Sequence, residues 1–117
     1  MIGQSYYPWW HGSLLDLREC LNWTVRAYKK NIYVVETAYN RTPTEYVDTL
    51  APFPESPEGQ RAFLEEVNRI VLGVPDNLGS GVFWWEPAVS RRGSRSFINE
   101  EGNVQPVIEV FDRYTRN

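Results

Sequence analysis

The chain has 117 residues, 42% of them apolar, a length and balance that fit one domain or part of one. A net charge of −3, with no basic cluster beyond Arg91, Arg92 and Arg95 in what reads as a solvated loop, argues against a nucleic-acid partner, whose phosphates need a basic surface. No run approaches the roughly 18 apolar residues of a membrane span, and a single Cys20 and a single His11 argue against an internal disulfide and against zinc held by local ligands.

Met1 opens onto strand-like, aromatic sequence rather than a charged stretch followed by an apolar one, so no export signal is read here. Ile2 to Tyr7 reads as a short strand ending at Pro8, which cannot donate to a ladder. Ser13 with Asp16 fits a capping box, and Leu14, Leu17, Leu21, Val25 and Tyr28 recur at helical spacing, which predicts a helix to about Lys30. Cys20 is assigned to the packed stripe of that helix. Ile32 to Val35 is an apolar, β-branched run of the kind buried on both faces of a parallel sheet, and it ends at Glu36.

Residues 40–57 hold Pro43, Pro52, Pro54 and Pro57 with no sustained period, so they read as a long loop. Ser56-Pro57-Glu58 then starts a second helix with Ala62, Phe63, Val67, Ile70, Val71 and Val74 on its apolar stripe, closed by Gly73 and Pro75. A third strand is predicted from Gly81 to Trp85, and Pro106 opens a last amphipathic helix through Val107, Val110, Phe111 and Tyr114. The order β-α-β-α-β-loop-α implies right-handed crossovers and a parallel α/β sheet. Three strands are too few for a complete (β/α)8 barrel, and the Gly-rich phosphate loop of a doubly wound fold is not in the sequence.

Aromatic residues make up 15% of the chain, five Trp and seven Tyr among them, and they gather at the predicted strand ends. The first strand delivers Ser5, Tyr6, Tyr7, Pro8, Trp9, Trp10 and His11, the second Glu36, Thr37, Ala38 and Tyr39, the third Trp84, Trp85 and Glu86. Ligands of parallel α/β folds bind at these ends, and sugars, with apolar C–H faces and many hydroxyls, call for flat aromatic platforms beside carboxylates. Phe63, Phe83 and Trp84 read as core; Tyr7, Trp10 and Trp85 read as ligand-facing. Glu36 is open to two readings, an ion pair at the sheet rim or a carboxylate aimed at an anomeric carbon, where a retaining glycosidase places its nucleophile about 5–5.5 Å from an acid/base partner. Glu86 is the candidate second carboxylate, equally readable as a group that orients a substrate hydroxyl or neutralises an arginine. His11 reads as a sugar contact, a support for a tyrosine, or a turn residue. Asn22-Trp23-Thr24 and Asn40-Arg41-Thr42 match the glycosylation pattern, the first within a predicted helix.

Five segments in order resemble glycoside hydrolase family 53 galactanases. GQSYYPWWHGSL at 3–14 is similar to the family's sixth-strand G-L-S-Y-Y-P-F-W-H-G, VVETAY at 34–39 to its seventh-strand motif, and GVFWWEPA at 81–88 to its eighth-strand G-V-F-Y-W-E-P-A-W. SPEGQRAFL at 56–64 and EEGNVQPVIEVF at 100–111 resemble the helix start between strands and the closing segment. The resemblance implies the C-terminal part, about strands 6 to 8 with their helices, of a (β/α)8 TIM barrel, with residues 1–117 one partial catalytic domain. It implies an endo-acting, retaining hydrolysis of β-1,4-galactan in type I arabinogalactan, the pectin side chain. Glu36 matches the nucleophile and Trp85 a sugar platform; Tyr6 or Tyr7 is placed beside the nucleophile, with Trp10, His11, Tyr39 and Glu86 as further substrate contacts.

The family's acid/base Glu follows an Asn on the fourth strand, which has no counterpart here, so the lone chain is expected to be inactive and to need the missing N-terminal half of the barrel as partner. Trp9 and Trp84 replace Phe and Tyr, and Val89 replaces a Trp that often follows Glu-Pro-Ala. Residues 40–57 lack the Asp, Gly and Asn pattern of the calcium loop found in bacterial members, so neither metal nor cofactor is expected. Export is implied for the full-length family. The competing readings are a noncatalytic carbohydrate-binding remnant using Tyr7, Trp10 and Trp85, and a related retaining β-glycanase.

Overall fold

The computed structural model describes residues 1–43, 51–88 and 95–114. Three parallel strands, β1 (Ile2–Tyr6), β2 (Ile32–Thr37) and β3 (Gly79–Trp84), lie in the order β1-β2-β3, with α1 (Leu14–Tyr28) and α2 (Pro57–Leu72) as the crossovers. A short 3-10 turn, Pro75–Asn77, leads into β3, and a second one, Pro106–Ile108, runs into α3 (Glu109–Tyr114). The last helix is thus split into a 3-10 turn opened by Pro106 and the short α3.

Helix α1 begins as its capping box requires: Ser13 Oγ accepts from Asp16 N at 3.1 Å and Asp16 Oδ2 accepts from Ser13 N at 2.8 Å. It ends at Tyr28 rather than Lys30, since Lys29 takes the left-handed conformation (φ 51°) and returns its N–H to Val25 O. Helix α2 starts on Ser56, whose hydroxyl accepts from Gly59 N, with Pro57 in the first turn, and Gly73 caps its end. Gly59 is required by contact: a Cβ there would lie 1.6 Å from the carbonyl oxygen of Pro54.

The core lies between sheet and helices. Leu17, Leu21 and Val25 of α1 and Phe63, Val67, Ile70 and Val71 of α2 cover Ile32 and Val34, each side chain contributing about 1.5–3 kcal/mol by leaving water. A second cluster of Leu64, Phe97, Val107 and Val110 packs the closing segment against α2.

The other face of the sheet is open. Val35 and Phe83 are 45% and 58% exposed, which corrects both the double burial expected of β2 and the core assignment of Phe83. Two further corrections fall on α1, where Cys20 is exposed with its Sγ 3.6 Å from Gln4 Oε1, and Tyr28 is exposed beside Trp23. Cys20 lies about 100° around the helix from Leu21, past the edge of the stripe that meets the sheet. Asn40, of the second glycosylation-like triplet, is buried and donates to Glu55 Oε2 at 2.9 Å.

One irregularity decides where the site forms. Gln4 pairs with Val34 and Ser5 with Glu36, so β2 carries one residue more than β1 at this point, a β-bulge at Val35. Tyr33 and Val35 share the open face with Gly3, since a Cβ on Gly3 would meet Val35 Cγ1 at 2.7 Å. Strict alternation would turn Glu36 toward the helices. The extra residue keeps it in register with Ser5, and Thr37, paired with Tyr6, becomes the next side chain packed outward, fully buried.

Candidate active site

At the C-terminal end of β1 the chain turns back on itself, Trp10 N and His11 N both donating to Tyr7 O at 3.0 and 2.8 Å. The turn folds an aromatic group around Tyr7, whose ring centroid lies 5.2 Å from Trp9, 5.3 Å from Trp10 and 6.1 Å from His11. His11 Nδ1 accepts from Tyr7 N at 2.9 Å, which places the proton of a neutral imidazole on Nε2.

The Tyr7 hydroxyl reaches across to β2 and donates to Glu36 Oε1 at 2.5 Å, the length of a charge-assisted bond between a hydroxyl and a carboxylate. Burial raises the Tyr7 phenol above its ordinary range, the bond to Glu36 raises it further, and the charges of Glu36 and Glu86 add to this while Arg95 opposes. The donor is therefore held protonated at any physiological pH.

The end of β3 is tied to β2 by Trp85 N donating to Thr37 O at 2.8 Å, and Trp85 stands 45% exposed on the open face. Glu86 follows with φ 57°, a left-handed conformation unusual for a residue other than glycine and one that Pro87 makes costlier. Backbone strain of this kind, about 1–3 kcal/mol, collects at functional sites. Trp10, 66% exposed, faces solvent on the β1 side, where a cavity of about 450 Å³ runs from Tyr6 and Pro8 past Trp9 to Ala51 and Pro52.

The structure thus brings Tyr7, Trp10, His11, Glu36, Trp85 and Glu86 to one end of the sheet. Tyr6 and Tyr39 are placed differently. Both are buried against Phe63, at ring distances of 6.2 and 4.6 Å, and their hydroxyls donate to Gly12 O and Phe53 O. Burial raises both phenols, that of Tyr39 to about 12. They hold the loops that shape the site and present no free hydroxyl to it.

Two further residues belong here: Arg95, for which the sequence suggested another place, and Gln60, which it did not single out. Arg95, read there as part of a solvated loop, lays its guanidinium 4.7 Å from the Trp9 ring centroid and 5.9 Å from that of Tyr7. Gln60, fully buried, donates to Tyr39 O at 2.9 Å and to Arg95 O at 3.1 Å, so one amide ties the segment after β2 to the segment after β3. A polar residue on the buried side of α2, one position past Gly59, was the available signal for Gln60. Arg91, Arg92 and Val89 lie outside the described residues, as do 44–50 of the long loop. Among the described residues no three His, Cys, Asp or Glu side chains gather as a metal site, and no helix is long and apolar enough to cross a membrane.

Residues 1–117 match the model of glycosyl hydrolase family 53. An uncharacterized protein of Niallia circulans is 45% identical over 98 residues, 75% of this chain and 27% of that protein. The endo-beta-1,4-galactanase of Bacillus subtilis (strain 168) is 35% identical over 110 residues, 86% of this chain and 25% of that protein. A solved fungal beta-1,4-galactanase superposes with a TM-score of 0.80 at 28% identity, over 95% of this chain and 37% of that one. The chain therefore spans between about a quarter and somewhat over a third of the length of these relatives. With a family match along its whole length and a solved barrel superposed on nearly all of it, the chain belongs to glycosyl hydrolase family 53 and forms the C-terminal part of a (β/α)8 barrel.

Proposed function

We propose that the chain carries the nucleophile side of a retaining endo-β-1,4-galactanase site, with Glu36 as the nucleophile. The observation that carries this reading is the 2.5 Å hydrogen bond from Tyr7 to Glu36 Oε1 at the C-terminal ends of parallel strands. One carboxylate oxygen is held by a permanently protonated donor, and Oε2 is left for attack at the anomeric carbon. In the retaining sequence the Glu36 carboxylate displaces the leaving sugar oxygen, which takes a proton from a second carboxylic acid. Water then attacks the glycosyl ester with that second group as base. The second group is assigned to a strand of the complete barrel outside β1 to β3, Glu86 being its only rival on these strand ends.

Trp10 and Trp85 supply the flat, exposed faces on which sugar rings stack, and His11 offers Nε2–H to a hydroxyl. The galactan substrate is inferred from the relatives' names. A carbohydrate-binding remnant without chemistry is the second reading, favoured by the same exposed Trp10 and Trp85.

Galactan hydrolysis is to be assayed with the purified chain alone and with the chain mixed with a separately expressed N-terminal part of a family 53 barrel. Turnover is expected only in the mixture and is expected to vanish with Glu36→Gln while galacto-oligosaccharide binding survives. Persisting turnover in Glu36→Gln would remove the nucleophile assignment. Turnover by the lone chain would transfer the acid/base role to Glu86, and binding without turnover in a folded, associated mixture would leave the remnant.

A further inference from the structure

We propose that Arg95 is a positioning residue for the Tyr7–Glu36 pair, its guanidinium clamping the rings of Trp9 and Tyr7 so that the phenol stays aimed at the carboxylate. Three sets of observations carry this. The contact is specific, the guanidinium lying 4.7 Å from the Trp9 centroid and 5.9 Å from that of Tyr7, whose two rings are themselves 5.2 Å apart. A planar, delocalised cation suits stacking on aromatic faces better than any other side chain.

The base of the clamp is fixed. Arg95 O accepts from Trp84 Nε1 at 2.6 Å and from Gln60 Nε2 at 3.1 Å, and the following Ser96 O accepts from the buried Arg41 Nη1 at 2.9 Å. Phe97 N donates to Pro87 O at 2.8 Å. An arginine of a solvated loop would have no such anchorage. The charge is also in the right place: Tyr7 is faced by Glu36 and Glu86, with His11 beside it, and Arg95 is the cation set against the two carboxylates. A short hydrogen bond tolerates little swing of its donor ring, and β1 alone does not fix that ring, since Tyr7 lies one residue beyond the strand.

The clamp also has a steric consequence. Arg95 occupies space over Trp9 and Tyr7, so the sugar platforms are left to Trp10 and Trp85.

The test is proton NMR of the full chain. A hydroxyl proton in a 2.5 Å bond to a carboxylate is expected far downfield and in slow exchange, and its absence in Tyr7→Phe assigns it. Arg95→Met is expected to remove or broaden this resonance. The Trp84 indole N–H, whose acceptor is the backbone carbonyl of residue 95, is expected to remain and so reports that the segment is still in place. An unchanged Tyr7 resonance in folded Arg95→Met would overturn the proposal. Should Arg95→Met also displace the Trp84 signal, Arg95→Gln is read in its place with the same two outcomes.

In the assembled galactanase, where the inference rests on the reading of Glu36 as nucleophile, Arg95→Met is expected to lower kcat by about 10- to 100-fold with KM altered less than about threefold. An unaltered kcat would equally overturn it. The NMR result needs no turnover, so an enzyme that fails to hydrolyse galactan removes the nucleophile reading and leaves the clamp to be judged on its own.

Discussion

Tyr7 concentrates more of the site's chemistry in one side chain than any other residue. Its hydroxyl donates to Glu36, its ring organises Trp9, Trp10 and His11, and its backbone is held by the imidazole. A hydrogen bond to a charged group is worth about 1.5–3 kcal/mol. Tyr7→Phe is therefore expected to reduce kcat of the assembled enzyme by about 10- to 100-fold, with the far-ultraviolet circular dichroism unchanged. The raised phenols make a separate prediction about stability. The Tyr39 phenol goes from 10.0 to about 12, so below pH 10 it is protonated folded or unfolded, whereas between pH 10 and 12 only the folded chain keeps the proton. Stability is thus expected to fall with pH across that window, and guanidinium unfolding of Tyr39→Phe should show a slope shallower by about one proton. The same residues show what the sequence could tell. That Glu36, Tyr7 and Trp85 stand at strand ends was legible from spacing, whereas the roles expected of them came from the family resemblance. The place of Arg95 was not legible, since nothing local distinguishes an arginine that stacks on rings eighty-odd positions earlier from one in water.

Both crossover helices carry their start signals in the chain, and both signals were readable: Ser13 with Asp16, and Ser56 with Pro57. The ends were less so, because Lys29 takes a left-handed conformation that sequence associates with glycine. Strand limits moved for a related reason. Ladder bonds carry β1 only to Tyr6, lengthen β2 to Thr37, and start β3 at Gly79, where a Cβ would lie 1.7 Å from Val71 O. The close approach at Gly59 makes the strongest test at this scale. Gly59→Ala sets a methyl against the Pro54 carbonyl and is expected to destabilise the chain by about 1–3 kcal/mol, read as a lower denaturation midpoint. A surface Gly102→Ala, with no atom within 4 Å of the added carbon, isolates the cost of a positive φ alone.

The molecule measures 44 × 36 × 18 Å, a slab whose shortest dimension is one sheet and one layer of helices. Of the sheet's two faces one is packed under the helices, and the other leaves Val35, Phe83 and Trp85 in water, while Trp23 and Tyr28 of α1 and Val104 and Ile108 of the closing segment are also exposed. In a closed barrel Val35, Phe83 and the exposed helix faces would meet neighbouring strands and helices, while Trp85 stays at the strand-end rim. As a free species the chain is expected to self-associate with rising concentration and to bind an apolar dye, both effects falling when an N-terminal barrel part is added. Sedimentation velocity across a concentration series checks this, and a monomer at every concentration would show that the open side is tolerated. The parallel α/β class was legible from β-α alternation and the barrel from the resemblance of five segments, but the open inner face with Val35 and Phe83 was not, since apolar runs in the sequence do not say whether their cover is on the same chain.

The extra residue at Val35 sets a rule for recombining this chain with other barrels. A splice that keeps the residue count of β2 transfers the offset intact, whereas a graft that trims the strand to an unbroken alternation delivers the carboxylate into the helix layer. Strand exchange at β2 of this chain is therefore constrained by residue count as well as by residue identity, and a chimera can preserve every side chain of the site while losing its phase.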